Sequence, residues 1–184
     1  MNLKDLNIPN DWDAITVRKY QEISKIENEN ELRALIKRIS IVTDISEESI
    51  RNLNVNDFNT LLHKMTFLNE KPPINNSLTF EFKGKKYGMI PDLNMITTGE
   101  WIDIEEFKKD SINNMHLILA VLWREVTNEE DDTYEIKPHI SRGFHKRAEL
   151  FLDLPISQVY TSIIFFLNFQ IRFLEIMTDY LQEE

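Results

Sequence analysis

The chain has 184 residues, 42% of them hydrophobic, no cysteine, and a formal net charge of -10 at pH 7. That length suffices for one buried core, so a single domain over 1–184 is the expectation. The absence of cysteine excludes a disulfide scaffold and thiolate metal sites, and the acidity works against general binding to nucleic-acid backbone, which needs clustered Lys and Arg.

Residues 1–15 read as an irregular arm, because Leu3, Leu6, Ile8 and Trp12 follow no period and Pro9 with its Asn and Asp neighbours breaks any helix. This stretch has neither a basic start nor an apolar run, so no secretion signal is predicted and the chain is expected in the cytoplasm or in a particle assembled there. Such an arm packs on its own body or on a neighbouring subunit. Helices are predicted over 16–70. Thr16 suits an N-cap before the stripe Val17, Tyr20, Ile23 and Ile26, and a second helix from Glu31 carries Leu32, Leu35, Ile36, Ile39 and Val42. Ser46 with Glu47 and Glu48 suits the start of a short third helix, since early acids complement the helix dipole. Asn56 opens a fourth, with Phe58, Leu61, Leu62, Met65 and Leu68 facing inward, and Pro72-Pro73 marks the break that follows.

Over 78–90, Leu78, Phe80 and Phe82 alternate with polar residues, Gly84 permits a tight turn, and Tyr87 and Met89 repeat the alternation on the return strand. This is a β-hairpin in which Tyr87 faces Phe80 or Phe82; alternation alone leaves the register open. Pro91 ends it. Thr97-Thr98-Gly99-Glu100 then fits a capping box, with Thr97 as N-cap and Glu100 at N3, opening a helical part over 97–184. Gly84, Gly88 and Gly99 form no phosphate-binding loop, because the nucleotide glycine patterns are missing.

Ser111 suits the start of a helix with Ile112, Met115, Ile118, Leu119, Leu122 and Val126 on its apolar side. His116 on the polar edge reads as a surface imidazole, since no second His or Cys stands at ligand spacing. The 128–132 run, NEEDD, reads as a solvated acidic loop without the spaced oxygens of a calcium site. Arg142, His145, Lys146 and Arg147 are a basic exception, read as a helix face paired with acids such as Glu149 and Asp153 in preference to a phosphate contact. His145 and Glu149 share a face, but two ligands do not make a zinc site.

From 156 to 181 there is no Gly or Pro, and Val159, Ile163, Phe166, Phe169, Phe173, Ile176 and Tyr180 recur at threes and fours. One long helix is predicted. Tyr160, Ile164, Leu167, Ile171 and Leu174 add a second stripe, so the helix must be covered by several neighbours. Gln158, Asn168, Gln170 and Arg172 interrupt any membrane span. The cover is the monomer core, or in part another chain, and the partner-contact candidates are Trp12, Val159, Ile163, Phe166, Phe169 and Phe173. The fold class expected is mainly α: a helical bundle-like domain with one β-hairpin and a long C-terminal helix. No catalytic triad, HExxH or nucleotide fingerprint appears, so no catalytic, metal or cofactor-binding residue is predicted and a non-enzyme is expected.

In order, the segments ITVRKYQEI, IVTDISEESIRNLNVNDFNTLLHKMTFL, FEFKGKKYG, ITTGEWIDIEEF, NMHLILAVLWR and LPISQVYTSIIFFLNF resemble small proteins of the head-tail and tail gene modules of tailed bacteriophages. The resemblance spans most of the chain through short motifs. It implies a virion structural protein (a connector ring, tail-barrel or packaged component) or a soluble tail-assembly chaperone, located in the virion or in host cytoplasm during assembly. The implied partners are other phage structural proteins or further copies of the chain, with no membrane and no strong nucleic-acid binding. It carries over no catalytic or binding residue. Phe165, Phe166 and Phe169 depart from the pattern by being larger aromatics. A third reading, a small regulatory or nucleic-acid-associated protein, would use Arg142, Lys146 and Arg147.

Overall fold

The computed structural model describes residues 8–26, 30–91, 96–131, 133–139 and 141–166. Four helices come first: α1 (Val17–Ser24), α2 (Glu31–Thr43), α3 (Glu47–Arg51) and α4 (Val55–Lys64). Each starts where a side-chain oxygen satisfies an otherwise orphaned backbone N–H. Thr16 Oγ1 accepts from Lys19 N at 3.3 Å, Asn30 Oδ1 from Leu32 N at 3.1 Å and Ser46 Oγ from Ser49 N at 3.2 Å. The fourth cap is Asn54, not Asn56: its Oδ1 accepts from Asp57 N at 2.9 Å, and α4 therefore begins at Val55. Leu61 and Met65 are buried beneath α4, while Phe58, Leu62 and Leu68 pack half-buried around them.

Strands β1 (Thr79–Phe82) and β2 (Lys85–Met89) form the expected hairpin, and its register pairs Phe80 with Tyr87. The turn holds Lys83 at φ 47° and Gly84 at φ 75°, the pair of left-handed residues that a two-residue hairpin loop of matching twist requires. Helix α5 (Thr98–Lys108) opens on the capping box as predicted: Glu100 N donates to Thr97 Oγ1 at 3.3 Å and Thr97 N to Glu100 Oε2 at 2.7 Å.

The next segment overturns the expected bundle with a single hairpin. Helix α6 runs only over Met115–Leu122, with residues 111–114 as a turn before it, and the chain then enters β3 (Trp123–Glu130) and β4 (Thr133–Ile136). With β1 and β2 these make a four-stranded antiparallel sheet, order β1-β2-β3-β4, so the fold is a mixed helix-and-sheet one. Val126, expected on a helix face, pairs with Ile136 across the ladder, and Asn128, Glu129 and Glu130, expected in a loop, are strand residues. The free carbonyls at the end of α6 are taken up by the chain just after β2 and by a side chain of the helix over 141–151. Leu122 O accepts from Ile90 N at 2.9 Å, and Ala120 O accepts from Arg147 Nε at 3.0 Å and Nη2 at 2.8 Å.

Pairing places Phe80, Phe82, Tyr87, Met89 and Trp123 on one sheet face. Helix α7 (Ser141–Phe151) and a helix over 156–166, here α8, cover it. Phe151 meets Tyr87 edge-on at 5.1 Å, and the Trp123 indole donates to buried Ser162 Oγ at 2.9 Å. Trp123, Phe151, Phe166, Ile118, Leu119 and Leu154 are fully buried there. The described arm residues pack on the chain's own body. Ile15 O accepts from Ile156 N at 2.8 Å and Val17 N donates to Leu154 O at 2.8 Å, tying the start of α1 to the start of α8.

Candidate functional site

Helix α8 begins directly after Pro155, as its sequence pattern predicts. Val159, Ile163 and Phe166 turn inward and are 1%, 2% and 0% exposed, within this chain's own core. Phe169 and Phe173 lie outside the described residues. Trp12 is also buried, its ring edge-on to Tyr20 at 5.8 Å and to Phe67 at 5.3 Å, so it fastens α1 to the turn after α4.

The apolar surface left in water on this helix is a different set. Ile164 is 40% and Phe165 52% exposed. Phe165 lines a groove of about 180 Å³ with Leu78, Met89, Trp123 and Thr161. Asn75 N donates to Thr161 Oγ1 at 2.8 Å, which pins the link before β1 along α8. Ile74 and Leu78 on that link are exposed too. Two exposed apolar side chains, Leu78 and Phe165, thus line a groove with Met89 and Trp123 of the sheet, and Ile74 and Ile164 are exposed on the same two segments. A second groove, about 590 Å³, lies between α2, α3 and α4, with exposed Leu32 and Val55 at its rim above Ile36, Ile50 and Phe58.

The predicted cap and turn residues hold the frame. Gly84 makes the hairpin turn and Gly99 sits in the first turn of α5. Thr97 caps that helix, and Glu100 does more than complete the box: its Oε1 lies 2.9 Å from Arg124 Nη1 on β3, an ion pair with side chains 2% and 10% exposed. The contact is close but poorly aligned, since Oε1 receives no hydrogen bond of proper geometry. Burial pulls the Arg124 pKa down, and the Glu100 charge opposes that fall. Sequence reasoning missed this pair; a charge directly after a core Trp was its one visible sign.

His116 is half-buried and not the surface imidazole expected. The Gln21 amide donates to Ile112 O at 2.7 Å and Asn113 O at 2.6 Å and lies 3.3 Å from His116 Nδ1. Desolvation lowers the His116 pKa. The described basic side chains of α7 divide: Arg147 caps α6 and Lys146 is exposed, while Asp153 pairs with Lys83 at 2.8 Å and with Arg18 at 4.0 Å; the Arg142 side chain lies outside the described residues. Among the described residues no three His, Asp or Glu side chains could hold a metal, and no helix is long and apolar enough to cross a membrane. No protein-family model, curated protein or solved structure matches the chain.

Proposed function

We propose that this chain is a non-enzymatic structural protein of tailed-phage particles, working by protein–protein contact in a connector, tail-barrel or packaged position. The observation that carries the reading is the groove lined by Phe165 and Leu78, exposed apolar side chains beside the sheet residues Met89 and Trp123, on segments that also expose Ile164 and Ile74. Isolated exposed apolar residues are ordinary, but a cluster with an aromatic centre beside a groove is the pattern of an interaction site. A subunit contact of standard size covers roughly 800 Å² per partner, so a partner seated on this groove would have to reach beyond it onto the neighbouring surface. Segment order along the chain, similar to that of tail-module proteins, supports the same reading. Its mechanism is shape and burial, with partners among other phage structural proteins or copies of itself.

A photo-crosslinking amino acid at position 165 tests this during assembly. The expected product joins the chain to a virion structural protein or to a second copy. Cross-links confined to the chain itself would refute the proposal, and a product found only with a precursor absent from finished particles would assign the tail-assembly chaperone role instead.

A further inference from the structure

Between the sheet and α7 lies a cleft of about 360 Å³ that the apolar surfaces do not involve. Lys83 from the hairpin turn, Lys85 from β2, Lys137 from the end of β4, and Lys146 and Arg147 from α7 converge on it, against one lining carboxylate, Glu125. A concentration of cations is conspicuous in a chain of net charge -10. Charges of one sign held together repel, so the arrangement calls for a compensating anion.

The internal anions are too few. Glu125 is shared, its Oε2 2.7 Å from Lys85 Nζ and its Oε1 2.9 Å from Lys137 Nζ, and those two contacts hold its carboxyl pKa down. Lys83 has Asp153, at 2.8 Å. Lys146 has no ion pair among the described residues, and Arg147 spends Nε and Nη2 on the Ala120 carbonyl, leaving Nη1. Burial pulls the Arg147 pKa down, the Arg124 charge adds to that fall and Tyr87 opposes it. We propose that this cleft binds a small phosphate-bearing ligand, with Lys146, Lys83 and the free side of Arg147 as the principal donors.

The shape favours that class. The cations reach in from the β1–β2 hairpin, the end of β4 and α7, so they can approach a compact anion such as phosphate from several sides. The volume is at the lower end for ligand pockets, room for a phosphate with a small attached group and too little for a helix. Buried Tyr87 at the wall, its hydroxyl kept neutral by burial, adds no competing negative charge. A long polyanion such as duplex DNA would meet the repulsion of the acidic remainder, so a compact ligand is the better match.

Inorganic phosphate and pyrophosphate, titrated into the full chain while backbone amide shifts are followed, test the site. Saturable shifts centred on Lys83, Lys85, Lys137, Lys146 and Arg147 are expected, with pyrophosphate the tighter. Lys146→Glu should weaken pyrophosphate by about tenfold or more, because it reverses a charge beside the ligand, while Lys64→Glu on exposed α4 should leave it unchanged. The proposal is overturned by shifts scattered over all lysines, by equal losses in both variants, or by a duplex oligonucleotide or acidic peptide that occupies the cleft while pyrophosphate does not.

Discussion

Replacing Glu100 with Gln isolates the contact that fastens β3 to α5. Gln at N3 can still reach back to the Thr97 N–H, so the capping box survives, while the charge opposite Arg124 is lost. Breaking a buried pair by removing one partner costs about 3–5 kcal/mol, because the remaining ion is left uncompensated. Arg124 keeps 10% of its side chain in water and its contact is imperfectly aligned, which argues for the lower end, about 3 kcal/mol. In a domain of this size that is a fall in Tm of about 6–12 °C. Urea unfolding should show a lower midpoint with an unchanged m-value. Pairing E100Q with R124M removes the orphaned cation and should restore more than half of the loss, since Met matches the length of the Arg stem. An E100Q protein within about 0.5 kcal/mol of the parent, or a double variant weaker than either single one, would refute the reasoning.

Gly88 sits under the ring of Tyr134, and a Cβ there would lie 2.7 Å from ring carbon Cδ2. The ring cannot swing away freely because its hydroxyl donates to Met89 O at 2.7 Å. Gly88→Ala should therefore cost about 1–3 kcal/mol in thermal or urea unfolding, and most of that cost should be absent in a Tyr134→Ala background, where only Ile136 Cγ2 at 3.1 Å still crowds the new methyl group. Burial holds the folded-state pKa of His116 below the ordinary histidine value of about 6.5. As pH falls through that value the unfolded chain takes up a proton that the folded chain refuses, so stability declines. His116→Gln should flatten the fall in urea midpoint between about pH 7 and pH 5, and identical slopes in the two proteins would remove His116 as its source.

What was legible in the sequence was local. The alternation of Phe80 and Phe82 with polar residues, the Gly84 turn, and Thr97 three residues before Glu100 each carry their own geometric cause, and each stands where it was read. The second hairpin was hidden for two physical reasons. Val126 continues the three-four spacing of Ile118, Leu119 and Leu122, so the helical pattern runs on past the point where pairing with β2 ends the helix. Its far turn holds Asp131 at φ 48° in place of a glycine, inside a run of acids that reads as solvated loop. The pairing that decides the matter, Met89 with Trp123 and Gly88 with Arg124, joins residues with two helices between them. The basic cleft was half visible: Lys146 and Arg147 were apparent as a cluster, but Lys83, Lys85 and Lys137 reach them only because the sheet lies beneath α7.

Counting copies of this chain in gradient-purified tailed-phage particles by quantitative mass spectrometry is the most direct test of the structural role. The account predicts a fixed copy number that matches a ring of the particle's head-tail or tail symmetry, or a constant packaged complement. Absence of the chain from particles that are otherwise complete would contradict it.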